Sequence, residues 1–407
     1  MHPKDLSIEN YSYPLPVDRI ALHPLENRDH SKLLVYNSKT ITEDRFLNLA
    51  HHLRKNSVVV FNNTKVIPAR IFFPKTTGGI IEIFCLEPFE MDHTLAMQAR
   101  YVSCWKCMIG GASKWKSGPL TRALFYEGVA INLTARLIQK NADAYVVEFS
   151  WDVPSYSFTQ ILHAAGEIPL PPYIKRKVEA DDTSRYQTIY ADDEGSVAAP
   201  TAGLHFTNEL LNTIKEKDIS LAFITLHVGA GTFKPVKSNT MAGHSMHAEF
   251  MDVTRQAIES ILQYIGNITT VGTTTLRVTE SLYWMGVKCC SDTNINADNL
   301  AIRQWEVYEK PLIDSNIDPK QALTSLLEWM IQNDLQRLVI PTSILIAPGY
   351  KFRISNALVT NFHQPGSTLI LLVAAITGEN WRNIYDYALS NDFRFLSYGD
   401  GCLLSIS

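Results

Sequence analysis

Histidine, asparagine and threonine recur in this sequence where an apolar run gives way to glycine, proline or a helix start. His205 closes the small-residue stretch Gly195 to Phe206, which carries Ser196, Pro200 and Thr201. His227 follows the apolar run Leu221 to Leu226 and opens Val228-Gly229-Ala230-Gly231-Thr232-Phe233. Gly272-Thr273-Thr274-Thr275 precedes Arg277 and Glu280, which one helical turn would bring within pairing distance. Thr360-Asn361-Phe362-His363 leads into Gln364-Pro365-Gly366-Ser367, and Phe61-Asn62-Asn63-Thr64-Lys65 ends another apolar run. An imidazole exchanges protons near neutral pH, small residues admit a ligand to the backbone, and N–H groups at a helix start hold anions. Each stretch also has a plain reading as a tight connection with packing side chains. Five of them at strand ends point to one composite polar site.

Two further stretches invite chemistry. Gly243-His244-Ser245-Met246-His247-Ala248-Glu249 sets two histidines three apart beside a carboxylate. That spacing suits a metal, but no HExxH and no clear fourth ligand accompany it, so hydrogen bonding to a sugar or base is the competing reading. Pro171-Pro172-Tyr173-Ile174-Lys175-Arg176-Lys177 is an extended basic strip with an aromatic ring, suited to a phosphate backbone and a stacked base, or else a solvated charge run. Arg70, Lys75, Lys114 and Lys116 would extend its positive rim. Cys104 and Cys107 form the one CxxC; without a second such pair no zinc knuckle is expected.

The elements that position these residues change character along the chain. Val58 to Phe61 and Leu33 to Tyr36 read as buried strands. From about Ile67 to Phe149, short alternating runs separated by Gly, Pro and Lys show no strong helix and predict a small antiparallel β-barrel or sandwich. Beyond Ser157 the rhythm becomes strand, turn, helix. Helices are expected over Glu209 to Lys217 with Thr207 as cap, Val253 to Ile265, Leu276 to Met285, Lys320 to Asn333, and Ser367 to Thr377 closed by Gly378. The expected architecture is a mixed α/β main domain, residues 1–66 and 152–407, interrupted by a β-barrel domain at 67–151. Residues 289–336 read as an elaboration on the α/β core. Ligands in such a layer sit at the carboxyl ends of strands.

With 407 residues, 46% hydrophobic and 19% charged, the chain can bury a full core, which excludes bulk disorder. Its 37 Lys and Arg against 41 Asp and Glu give a net charge of −4, so a nucleic-acid site must be a local patch. The polar start Met1 to Pro16 and the short apolar run Leu369 to Ile376 predict neither signal peptide nor membrane span. A cytosolic, monomeric protein with reduced thiols is expected.

Several of these stretches together resemble a known family. Gly166 to Ile174, Tyr186-Gln187-Thr188, Gly195 to Phe206, Leu226 to Gly229 with Gly231-Thr232-Phe233, Phe61 to Arg70, Thr360 to His363 and Ser397-Tyr398-Gly399-Asp400 are similar to motifs of the S-adenosylmethionine:tRNA ribosyltransferase-isomerases of queuosine biosynthesis. The likeness runs from Tyr13 to about Leu404. It departs at Gln364-Pro365-Gly366, where the family commonly has Leu-Pro-Lys, and at Thr275-Leu276-Arg277, commonly Ser-Val-Arg. The resemblance implies transfer and isomerisation of the ribosyl part of S-adenosylmethionine onto 7-aminomethyl-7-deazaguanine at the tRNA wobble position. Epoxyqueuosine-tRNA forms, and adenine and methionine leave. S-adenosylmethionine is then a co-substrate, with no metal and no cofactor. On this reading His205, His227, His247, Glu249, His363 and Asp400 are the candidates for catalysis. Asn62, Thr64, Arg70, Thr201, Gly229, Thr273, Arg277, Asn361, Ser367 and Tyr398 are the candidates for holding substrate, and Tyr173, Lys175, Arg176 and Lys177 for tRNA. The rivals are a relative acting on another nucleoside or tRNA with the same site, and a catalytically inactive RNA-binding protein.

Overall fold

Val58, Val59, Val60 and Phe61 are apolar on both sides of a strand, and both sides are covered. A computed structural model describes residues 2–75, 78–141, 144–229, 238 and 240–406. In it the strand Ser57–Asn62 lies near the middle of a nine-stranded sheet. Val58 and Val60 pack into one core and Val59 and Phe61 into another. Each such side chain removed from water contributes roughly 1.5–3 kcal/mol, so a strand buried on both faces is strongly placed.

The sheet runs Arg337–Thr342, Glu249–Thr254, Ile219–Leu226, Ser57–Asn62, Ile268–Val271, Ala357–Asn361, Gly401–Ser405, Lys32–Asn37, Thr40–Arg45. Four central strands, from Ile219–Leu226 to Ala357–Asn361, are parallel. Gly401–Ser405 runs against them, with Gly401 opposite Asn361, and Lys32–Asn37 follows Gly401–Ser405. The carboxyl ends of the four parallel strands therefore share an edge with the starts of the other two. Helices Arg255–Gln263, Thr273–Ser291, Pro319–Gln332, Thr368–Thr377 and Asn380–Ser390 cover one face, and Asn208–Glu216 the other.

Helix ends follow the sequence. Thr207 accepts from Leu210 N at 3.2 Å, and Gly378 closes Thr368–Thr377 at φ 59°. Two expectations change. The stretch expected as one helix over Val253 to Ile265 begins as the strand Glu249–Thr254, burying Met251 and Val253 at period two, and becomes helical only at Arg255, capped by Thr254. The helix expected over Leu276 to Met285 runs Thr273–Ser291 and is buried almost all round, wedged between the sheet and Pro319–Gln332. Gly286 permits that approach: a Cβ there would lie 2.1 Å from the Ala322 carbonyl. Leu300, Val307, Tyr308 and Leu326 from the 289–336 stretch lie inside the same core.

The intervening residues form a separate antiparallel sheet in the order Gly166–Glu167, Arg70–Pro74, Ile80–Pro88, Val102–Gly110, Tyr145–Trp151, Val129–Lys140, Leu120–Tyr126. Trp105, Phe149 and Phe158 centre its own core. Among the described residues its edges are not joined by a ladder. Instead Arg122, near one edge, donates to the carbonyls of Phe72 at 3.0 Å and Ala165 at 2.8 Å, near the other. An antiparallel sheet thus stands where a β-barrel was expected, and among the described residues a guanidinium, in place of a closing ladder, links its edges. One short helix, His93–Gln98, stands where none was expected; Asp92 caps it, accepting from Thr94 and Leu95 N–H. All six cysteines are free thiols. No helix of the described residues is long and apolar enough to cross a membrane.

Candidate active site

A cleft opens along the carboxyl edge of the parallel strands. Thr201, Thr273, Asn361, His363, Ser367, Tyr173 and Ser397 supply its polar lining, and Ala198, Val228 and Phe362 its apolar lining. It holds a cavity of about 90 Å³ and opens to solvent. The helices Thr273–Ser291 and Thr368–Thr377 both start here, from Gly272 and from Ser367. The first N–H groups of a helix have no partner within it, so this wall presents donors to an anion.

Asn361 stands at the end of its strand. Its Nδ2 donates to His205 Nε2 at 3.0 Å, and His205 Nδ1 lies 2.8 Å from Ser31 Oγ. Asn361 Oδ1 is buried without a partner. Turning the amide over would only exchange which end is left, so one polar end of Asn361 remains for a ligand. His205 stacks on Phe46 at 4.6 Å, and burial pushes its pKa down to about 4. His363 is 9% exposed; its Nε2 is 3.0 Å from Thr360 Oγ1, and burial holds its pKa down at about 3. Both imidazoles are neutral at pH 7.

His227 directly precedes Val228 of the cleft wall. Thr64 Oγ1 lies 2.9 Å from its Nδ1, and the ring of His93 stacks on it. Burial, and then the neighbouring His93, push the His227 pKa down to about 4. Gly229 is the last described residue here, and Gly231-Thr232-Phe233 lies outside the described residues.

The other expected residues stand apart from the cleft lining. Arg277 does not pair with Glu280. Its Nη1 donates to Glu249 at 2.5 Å and its Nε to the Ile344 carbonyl at 3.1 Å, with Nη2 buried and unpartnered. Glu280 is wholly buried and accepts from Tyr350 Oη and the N–H groups of Arg353, Ile354 and Ser355; burial raises its pKa against these donors. A helix buried all round takes its partners from the elements packed on it, not from its own next turn. His247 is exposed. Arg70 pairs with Glu82 at 3.1 Å within the second sheet. Asn62 uses its whole amide on backbone: Nδ2 to the Leu226 carbonyl, Oδ1 from the N–H groups of Leu226 and Thr64. Asp400 likewise accepts from the N–H groups of Lys32 and Arg394.

The basic strip is only partly free. Arg176 forks onto Asp182 at 2.6 and 2.7 Å and donates to the Leu22 carbonyl. Asp182 is 2% exposed and also accepts from Tyr398 Oη at 3.1 Å. Burial alone would raise the Asp182 pKa; the Arg176 guanidinium and the Glu179 N–H reverse that and lower it. Lys175 and Lys177 are exposed, with no carboxylate in ion-pair range among the described residues. Tyr173, between them and the cleft, shares a 2.5 Å hydrogen bond with Ser397. His93, Ser31 and Asp182 were missed from sequence, and Ser397 was read only as part of its motif. His93 and Ser31 carry no local signal, since their partners His227 and His205 are distant in the chain.

The profile of a protein family described as "Queuosine biosynthesis protein" matches residues 8–311 and 320–404. The chain belongs to this family. Only 312–319 interrupt the match, so most of the 289–336 stretch falls within the family pattern. An S-adenosylmethionine:tRNA ribosyltransferase-isomerase of Trichlorobacter lovleyi is 35% identical over 98% of this chain and 99% of its own. One of Nostoc sp. is 34% identical over 98% and 92%. The crystal structure of an S-adenosylmethionine tRNA ribosyltransferase from Thermotoga maritima covers 97% of this chain and 99% of its own, at 25% identity and a TM-score of 0.45.

Proposed function

We propose that this protein is an S-adenosylmethionine:tRNA ribosyltransferase-isomerase. It transfers and isomerises the ribosyl part of S-adenosylmethionine onto 7-aminomethyl-7-deazaguanine in the tRNA wobble position, giving epoxyqueuosine-tRNA, adenine and methionine. Family membership over nearly the whole chain sets the reaction class. The observation that carries the reading to these residues is the cleft itself, where neutral imidazole, amide, hydroxyl and two helix starts converge beside a basic strip.

The chemistry asks for these groups. The sulfonium acidifies the 5′ carbon and makes methionine a leaving group, so a neutral base must take a proton there. Adenine departs more readily when its ring is protonated. His363 in the wall and His227 beside it are neutral imidazoles available for the two proton transfers. The free end of Asn361, oriented by His205, would hold ribose or base. The helix starts at Thr273 and Ser367 would receive the methionine carboxylate. Tyr173 would border the nucleobase, and Lys175 and Lys177 would meet the tRNA backbone. Two separate cores support assigning residues 67–151 to an inserted unit and 1–66 with 152–407 to the catalytic one. An enzyme with this substrate would work in the cytoplasm.

Incubation with S-adenosylmethionine and tRNA bearing the aminomethyl base should release one adenine per tRNA modified, read by chromatography. Formation of S-adenosylhomocysteine without adenine would overturn the reading.

A further inference from the structure

His93 opens the short helix of the inserted unit, yet its ring lies against the site on the main sheet. The imidazoles of His93 and His227 stack with centroids 4.8 Å apart and planes 20° from parallel. Behind His93 the fully buried Trp105 stands edge-on at 5.8 Å and 84°. Beside both rings runs Gly195. A Cβ on it would fall 2.4 Å from His93 Cε1 and 2.8 Å from His227 Cε1 and Nδ1, so any larger residue would force the rings to move. Thr64 fixes the Nδ1 end of His227, leaving Nε2 with no hydrogen-bond partner among the described residues. One imidazole is therefore held on its face by the inserted sheet, on its edge by glycine, and at one nitrogen by a hydroxyl.

We propose that His93 is a positioning residue for His227: the inserted sheet unit reaches across to orient the site's proton-transfer imidazole and to shield it from water. This rests on the reading that His227 takes part in proton transfer. A stacked ring excludes solvent from one face of His227, and a second cation so close would be repelled, so His93 favours the neutral, proton-accepting form. The other charged groups acting on the pair are Asp193 and Arg337 beside His227, and Asp92 at the start of the His93 helix. Asp193 favours protonation of His227 and Arg337 opposes it. The inserted unit would then serve catalysis directly as well as any role in holding RNA.

The test compares His93→Ala, which removes ring and charge, with His93→Phe, which keeps a stacking ring. Two quantities are read: the His227 titration by NMR, and the acidic limb of kcat/KM for S-adenosylmethionine. His93→Ala should raise the His227 pKa by about one to two pH units toward the ordinary histidine value and move the acidic limb up with it. KM for tRNA should stay within about twofold. In His93→Phe the limb should stay within about half a unit of wild type, because the shielding ring remains. If neither the titration nor the limb moves in either variant while the wild type turns over, the positioning role is overturned and the proposed activity stands. If the wild type releases no adenine from S-adenosylmethionine with its tRNA substrate, the activity itself falls.

Discussion

Mild acid should destabilise this protein through its buried histidines before its carboxylates contribute. His205 and His363 are 5% and 9% exposed, and burial lowers their pKa values to about 4 and about 3. In the unfolded chain each would titrate near ~6.5. As pH falls below that value the unfolded chain binds a proton at each site and the folded protein does not. Stability fully present above pH ~6.5 is therefore lost progressively until the folded pKa is reached. At pH 5 the unfolded state gains about 2 kcal/mol per histidine, from RT ln(1 + 10^1.5), and about 4 kcal/mol for the pair. That is a large part of a typical stability of about 5–15 kcal/mol. Carboxylates such as Glu194, held at about 2 by His163 and Lys65 against burial, act only at lower pH. From pH 7.5 to 5 such depressed carboxylates stay silent, while Glu280, raised by burial, would act in the opposite sense by gaining its proton first in the folded state, so the imidazoles are read by comparing variants. Urea unfolding at the two pH values should show His205→Gln losing about 2 kcal/mol less than wild type over the window. Equal losses would refute the claim that His205 is held neutral by the fold.

Three variants probe other parts of the mechanism. Lys175→Ala with Lys177→Ala should weaken tRNA binding and lower its log–log salt slope by about 1.5, with KM for S-adenosylmethionine unchanged. Arg176→Ala should instead lower global stability by about 3–5 kcal/mol in denaturant unfolding, because it strands the buried Asp182 carboxylate. Asn361→Ala should raise KM for S-adenosylmethionine by about tenfold while tRNA affinity, measured by filter binding, is retained.

The strands and the edge where their polar ends meet were legible in the sequence because burial on both faces demands continuous apolar runs, as in Val58 to Phe61. Caps at Thr207 and Gly378 were legible for the same local reason. Partnerships were not. Glu280 at one helical turn is the natural mate for Arg277 on an exposed helix, but here the helix is buried and Glu249 arrives from a neighbouring strand. The charge of Lys175 to Lys177 could be read, but not that Asp182 folds back on Arg176. Polar residues at strand ends also answer to the backbone: Asn62 and Asp400 satisfy N–H and C=O groups where ladders stop, a demand that looks like a site in sequence. His93 has no pattern around it at all, since its meaning comes from the ring of His227, just beyond a strand of the other sheet.

The central claim is that the ribose of S-adenosylmethionine, and not its methyl group, is transferred. Wild-type protein should be given S-adenosylmethionine carrying 13C in the ribose, or 13C in the methyl, with tRNA bearing the aminomethyl base, and the digested nucleosides analysed by mass spectrometry. The account predicts that the ribose label appears in the modified nucleoside and the methyl label leaves with methionine. Methyl label on the tRNA, with ribose label retained in S-adenosylhomocysteine, would contradict it.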